Sequence, residues 1–168
     1  MNIHTEPKPS DSVPVNIDMM FDRYADMIYR IALLRIRNRS DAEDIVQEVF
    51  LRWLKSTPRF ASEEHCKSWF IRVALNCSHS LIGSKWHQNI VPSDEVEAIC
   101  ADMDSASSEV YTSVLELPLK YRTAIYLFYY EGYKVKEIAK MMHTRENTVK
   151  SWLSRAREML REILKEEE

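Results

Sequence analysis

A chain of 168 residues with 2 glycines and 6 prolines has room for one ordinary domain or two small ones. So few glycines exclude a phosphate-cradling loop, a dinucleotide fingerprint, collagen and the turns of an all-β sandwich, while 45% hydrophobic and 29% charged residues mark a globular chain. The net charge of −3 hides a segregation: residues 21–90 and residues 117–168 each carry 11 basic against 8 acidic side chains, and residues 91–116 hold 7 acids and no Lys or Arg. Two mildly basic blocks flanking an acidic connector suit nucleic-acid contact better than the overall sum does.

Residues 1–18 are polar, punctuated by Pro7, Pro9 and Pro14, and read as a loose arm without the pattern of a signal peptide. A first helical domain is expected over 19–87. Its first helix places Phe21, Tyr24, Ala25, Ile28, Ile31 and Ala32 at three- and four-residue steps. Ser40 and Glu43 form an expected capping box for a second helix. There Ala42, Ile45, Val46, Val49, Phe50, Trp53 and Leu54 make one apolar stripe, and Asp41, Asp44, Gln47, Glu48, Arg52 and Lys55 face outward until Pro58 stops the helix. A third helix, from about Glu64 to Leu81, buries Trp69, Phe70, Val73, Ala74 and Cys77. Residues 88–107 lose periodicity and read as an acidic linker.

The second domain, 108–168, reads as four helices. A short one over Glu109–Glu116 ends at Leu117-Pro118. The next runs from Pro118 through the apolar run Ala124–Tyr130 to Gly132, a fitting residue to end a helix. That seven-residue run is the longest in the chain and far short of the roughly 20 residues that cross a bilayer. Its aromatics Tyr126, Phe128, Tyr129 and Tyr130 are expected in the core first and on a partner surface second. No strand alternation appears, so the fold class is all-α: two small helical domains joined by an acidic linker.

The last two helices carry the most informative spacing. Val135–Met142 and Arg145–Leu164 are separated by a tight turn, as in a helix-turn-helix. Ala139 is the small residue where the helices cross, Ile138, Met142, Val149 and Leu153 supply the inner faces, and His143 takes a turn position that favours positive φ. Thr144 is the expected cap of the second helix. Asn147, Lys150, Ser151 and Ser154 then share its outward face, with Arg145 and Glu146 at its exposed end, and these types can hydrogen-bond base edges in a major groove. Arg155, Arg157 and Arg161 lie farther along, placed for phosphates. Spacing alone leaves open a solvated helical hairpin.

Other chemistries find less support. Cys66, Cys77 and Cys100 are odd in number and lack C-x-x-C spacing, which points to a reducing, cytoplasmic setting. With His65, His79 and His87 they match no zinc-site spacing. Asp102, Asp104 and Glu109 sit near no nucleophile or base, so no enzyme, cofactor or small-molecule substrate is expected. A response-regulator receiver would need five strands, which the first 90 residues do not supply.

Almost the whole chain resembles the extracytoplasmic-function (ECF) group of sigma-70-family sigma factors. The stretch Asp41-Ala42-Glu43-Asp44-Ile45-Val46-Gln47-Glu48-Val49-Phe50 is similar to the part of region 2 that docks on the RNA polymerase clamp. Lys67-Ser68-Trp69-Phe70-Ile71-Arg72-Val73-Ala74-Leu75-Asn76 is similar to the following helix, which melts and reads the −10 element. Leu117-Pro118, Tyr121-Arg122, Glu131-Gly132-Tyr133, Glu137-Ile138-Ala139 and Thr148-Val149-Lys150-Ser151 are similar to region 4, the −35 reader.

The resemblance implies core polymerase contacts at Asp41, Asp44, Gln47, Glu48 and Arg52. It implies −10 contacts at Asn76, His79, Ser80, Lys85 and Trp86, and −35 contacts on the helix bearing Arg145, Glu146, Asn147, Lys150, Ser151, Ser154, Arg155 and Arg157. Core RNA polymerase, promoter DNA and a cognate, often membrane-bound anti-sigma factor are the implied partners. Two departures stand out. Many members end the region 2 helix in arginines, where this chain has Leu81-Ile82-Gly83-Ser84-Lys85-Trp86-His87, and Trp152 replaces a frequent Arg. The first implies a thinner phosphate grip and keeps open a sigma-like binding protein or helix-turn-helix regulator that does not itself initiate transcription.

Overall fold

The computed structural model describes residues 16–84 and 105–166. Most of the expected arm and linker, with Lys85, Trp86, His87 and Cys100, lies outside the described residues. Helix α1, Ile17–Ile36, starts where the Asn16 side chain accepts a hydrogen bond from the Asp18 N–H at 2.9 Å. That cap lets the helix begin two residues inside the expected arm. It ends at Arg37, which is left-handed (φ 61°) and donates its N–H to Leu33 O at 2.8 Å. Helix α2, Arg39–Ser56, is capped by Asn38, whose side chain accepts from the Asp41 N–H at 2.9 Å. The expected box on Ser40 is therefore corrected: an Asn two residues earlier takes the cap, and Ser40 lies within the first turn. Helix α3 spans Glu63–Ser84.

These three helices close around Phe70. Its ring stacks on Tyr24 at 4.8 Å and lies within 5.2 to 6.0 Å of Trp69, Phe50 and Trp53. Ile28, Ile31, Leu34, Val49, Ile71 and Ala74 fill the remaining space and are essentially inaccessible. Five expected core residues are not fully buried there, Ala25 and Val73 being half-buried at the margin. Phe21 and Leu54 stand 47% and 43% exposed, and Trp69 is half-buried at the edge of the ring cluster. Three helices cover only part of each other's circumference, so the margins of an apolar stripe stay wet.

The second half comprises α4, Ser105–Glu116; α5, Leu119–Ile125; α6, Val135–Met141; and α7, Glu146–Glu166. Among the described residues there is no strand, and the all-α class holds. Past Ile125 the chain keeps turning but widens by one residue per turn over Tyr126–Tyr130, with the Glu131 N–H reaching Tyr126 O at 3.2 Å. Gly132 (φ 73°) then reverses the chain, and the Tyr133 N–H returns to Leu127 O at 3.0 Å. Tyr126 and Leu127 are buried, whereas Tyr129 and Tyr130 are 56% and 45% exposed. Of the four aromatics expected in the core first and on a surface second, Tyr126 is buried, Phe128 is half-buried, and Tyr129 and Tyr130 are on the surface, because a single helical turn presents only one face to the core.

The two halves touch. The C-terminal end of α1 packs on α5, and α3 approaches α6. Arg35, on the buried stripe of α1, donates from Nε to Ser78 Oγ of α3 at 2.7 Å and from Nη1 to Thr123 Oγ1 of α5 at 2.9 Å. Arg122 donates from Nε to Leu34 O (2.6 Å) and from Nη2 to Arg35 O (2.7 Å). Those carbonyls belong to the last turn of α1, which has no intrahelical donors for them. An arginine from the second half thus completes a helix end in the first, where the helix dipole also favours a cation.

Candidate functional site

Three surfaces carry the predicted residues. On α2, Asp44, Gln47, Glu48 and Arg52 are exposed and Asp41 is half-buried at the helix start. Arg52 Nε meets Glu48 Oε1 at 2.7 Å, one turn apart, so the two act as a pair on the helix surface. Leu51 and Leu54, 48% and 43% exposed, lie among these charges, and Phe21 meets Phe50 at 5.0 Å. The α2 surface is thus mixed, acidic and apolar together. Leu54 belonged to the expected buried stripe, and Leu51 was on neither list. Only packing reveals which apolar residue of an amphipathic helix is left at the margin.

On α3, Asn76, His79 and Ser80 are exposed at i, i+3 and i+4, one face of the helix. Asn76 and His79, with Leu75, line a cavity of about 550 Å³ closed on its far side by Leu119, Met142, His143 and Trp152 of the second half. The last turn of α3 contains no basic residue.

The third surface is α7. Helix α6 ends in a tight double closure: the His143 N–H reaches Lys140 O at 3.4 Å and the Thr144 N–H reaches Ala139 O at 2.9 Å, with His143 left-handed at φ 52°. The positive φ expected of His143 is present. Thr144 finishes α6 instead of capping α7, which begins at Glu146 with Arg145 in the cap position and the Val149 N–H on Arg145 O at 3.1 Å. The cap reading is corrected because Arg145, not Thr144, is the residue immediately before α7, which leaves the Thr144 hydroxyl one position short of the cap. Ile138, Ala139, Val149 and Leu153 are buried at the crossing.

Outward from that crossing, Arg145, Glu146, Asn147, Lys150, Ser151, Ser154 and Arg155 are all exposed. Arg157 is half-buried. Its guanidinium lies 5.9 Å from the Tyr129 ring centroid, and its Nε donates to Tyr129 Oη at 2.9 Å. Arg157 therefore ties α7 to the widened turn at Tyr126–Tyr130. Trp152 packs against the core margin and faces the cavity shared with α3.

Sequence reading overlooked the junction. Arg35 is 8% exposed, and burial lowers its pKa to about 10; Arg122 is lowered to about 10 by burial, then by the like charges of Arg37 and Arg35. A signal for Arg35 existed, since it falls one step beyond Ile28, Ile31 and Ala32 on the same apolar stripe. Among the described residues no group of three or more His, Cys, Asp or Glu side chains gathers as a metal site. Cys66 and Cys77 are buried, and burial is the main cause that raises both thiols above their ordinary range. No described helix is long and apolar enough to cross a membrane.

The architecture is that of a two-unit DNA-binding protein, with a helix-turn-helix in its second unit and a three-helix bundle in its first. Comparison with known proteins agrees. The family described as Sigma-70 region 2 matches residues 20–88, and that described as Sigma-70, region 4 matches residues 107–160. The ECF RNA polymerase sigma factor SigM of Bacillus subtilis is 32% identical over 168 residues, covering 89% of this chain and 95% of SigM. RNA polymerase sigma factor SigV of the same organism is 29% identical over 142 residues, covering 83% of this chain and 86% of SigV. Among solved structures, the sigma factor RpoE of Bartonella quintana, crystallised with the anti-sigma factor NepR, has the same fold with a TM-score of 0.67 at 19% identity, over 88% of this chain and 96% of that one. The chain belongs to the ECF group of RNA polymerase sigma factors, the transcription initiation factors of the sigma-70 family.

Proposed function

We infer that the three surfaces divide the work of a sigma factor. Asp41, Asp44, Gln47, Glu48 and Arg52 on α2 dock on core RNA polymerase, with Leu51 and Leu54 supplying apolar contact between the charges. Asn76, His79 and Ser80 on α3, followed by Lys85 and Trp86, take the −10 strand, where an unstacked base needs hydrogen-bonding side chains along a helix. Arg145, Glu146, Asn147, Lys150, Ser151, Ser154 and Arg155 on α7 read the −35 duplex. Arg157 positions that helix through Tyr129. The protein forms no bonds itself, needs no cofactor, and works in the cytoplasm beside the polymerase. An anti-sigma factor is its expected inhibitor.

The observation that carries this reading is the exposed polar face of α7, set on a helix-turn-helix crossing whose inner residues are buried. Core binding and abortive transcription on duplex and pre-melted promoters test it. Asp44→Ala/Glu48→Ala is expected to weaken core binding at least several-fold. Lys150→Ala is expected to leave core binding intact and to reduce initiation only where a −35 element is present. Failure of the wild type to bind core polymerase removes the reading. Core binding with initiation only on pre-melted templates favours the non-initiating alternative and points to the uncharged last turn of α3.

A further inference from the structure

Among the described residues Arg35 is the one charged residue buried to more than nine-tenths, at 8% exposed. It donates from Nε to Ser78 Oγ at 2.7 Å and from Nη1 to Thr123 Oγ1 at 2.9 Å. Both partners are neutral hydroxyls that pass their own protons to backbone carbonyls. No carboxylate meets the guanidinium among the described residues, and burial alone lowers its pKa to about 10. Other cations in the chain are better provided for: Arg122 holds three carbonyls, Lys67 meets Glu131 and Arg52 meets Glu48. A buried charge is costly without a counter-ion, so native structures pair such charges as a rule.

Arg35 also lines the cavity of about 550 Å³, together with Asn76, His79, Lys120 and His143. These side chains bring hydrogen-bond donors, and no Asp or Glu is among the described lining residues. The rest of the wall is apolar, chiefly Leu75, Leu119, Met141, Met142 and Trp152. Such a volume, with a largely apolar wall and a few convergent polar groups, has the character of a small-molecule site. We propose that this cavity binds a small aromatic carboxylate, with its ring against the Trp152 and methionine wall and its carboxylate paired with Arg35.

The chemical class follows from the wall. A flat ring suits an indole and two thioethers, and Trp152, standing where related chains frequently carry Arg, supplies the largest apolar side chain of the set. A carboxylate matches the fork of a guanidinium. A dianion such as a phosphate monoester would find only one deeply buried cation, because Lys120 is exposed. The consequence for activity rests on the sigma-factor reading. Asn76 and His79, which that reading assigns to the −10 strand, line the same cavity, so a ligand seated there covers them and competes with promoter DNA.

Calorimetric titration of the full chain with 2-naphthoate tests the site, with 2-naphthamide as the uncharged control. The acid is expected to bind one per chain and about tenfold more tightly than the amide, the difference between a charged and a neutral hydrogen-bonded pair. Arg35→Met is expected to erase that preference, and Leu119→Trp, which fills the cavity, to abolish binding of both compounds. If Arg35→Met is unfolded by circular dichroism, Leu119→Trp and the acid–amide comparison decide. Equal affinity for the two compounds, acid binding that survives Leu119→Trp, or no binding at millimolar acid overturns the proposal. So does acid binding that appears only when Asp94, Glu95, Glu97, Asp102 and Asp104 are neutralised to Asn and Gln, since the chain would then supply its own anion.

Abortive initiation on a duplex promoter tests the consequence. Naphthoate is expected to lower the wild-type rate at concentrations that saturate the calorimetric site, the amide to leave it unchanged at the same concentrations, and Arg35→Met to be insensitive to both. Saturation of the site with an unchanged rate overturns the competition with promoter DNA. A wild-type chain that does not bind core polymerase removes the sigma-factor reading, while the calorimetry still decides whether the cavity takes an aromatic acid.

Discussion

The two halves achieve rigidity by opposite means. The α1–α3 half is organised by one large ring, Phe70, touched by Tyr24, Phe50, Trp53 and Trp69. The α4–α7 half has no such centre. Its buried residues are mostly aliphatic, and its shape is set by backbone devices: Gly132 at φ 73°, the widened turn before it, and His143 at φ 52° between α6 and α7. The first half holds its surfaces on long helices whose direction the ring cluster fixes. The second must aim one helix relative to another across a short turn, so a few backbone angles matter more than any one side chain.

This contrast can be broken in a graded way. Phe70→Ala is expected to have the largest effect, costing about 3–5 kcal/mol, because the ring is fully buried and four other rings lean on it. Urea unfolding of the full chain checks the size, and core binding should fall with it. Ala139→Leu places extra methylenes where α6 crosses α7 and is expected to cost about 1–3 kcal/mol. Its diagnostic consequence is selective, with duplex −35 binding lost and core docking retained. Equal loss of both would mean the halves do not behave as separate units.

His143→Gly is the smallest change and carries the opposite sign. Relief of a left-handed non-glycine residue is worth roughly 1 kcal/mol, offset in part by the greater freedom of glycine in the unfolded chain. A slightly higher melting temperature with unchanged DNA binding is the expected result. A lower one would show that the His143 side chain, which lines the cavity facing α3, contributes more than its backbone strain costs.

Much of the fold was legible from periodicity. Ala42, Ile45, Val46, Val49, Phe50 and Trp53 recur at helical spacing and are buried as a stripe. Ala139, His143 and Val149 announced the helix-turn-helix, because a tight crossing needs a small residue, a turn tolerant of positive φ and apolar inner faces. The misreadings were local competitions. Asn38 took the cap expected at Ser40 since both can accept the same kind of bond, and α7 starts one residue later than a Thr144 cap requires. Tyr129 and Tyr130 look as apolar as Leu127 in a linear string, and only the packing of α6 decides which side of the turn is covered.

By itself the sequence determined the helix content, the two-unit plan and the identities of the candidate contact residues on α2, α3 and α7. Those depend on spacing within ten or so residues, where the geometry of a helix is known in advance. The tertiary structure alone decided that Leu51 and Leu54 are exposed among the α2 charges, that Arg157 is bound to Tyr129, and that Arg122 completes the end of α1. Each of these depends on residues brought together from distant parts of the chain, up to 88 positions apart for Arg122 and Leu34. No local pattern encodes such a meeting, because it is set by how whole helices pack.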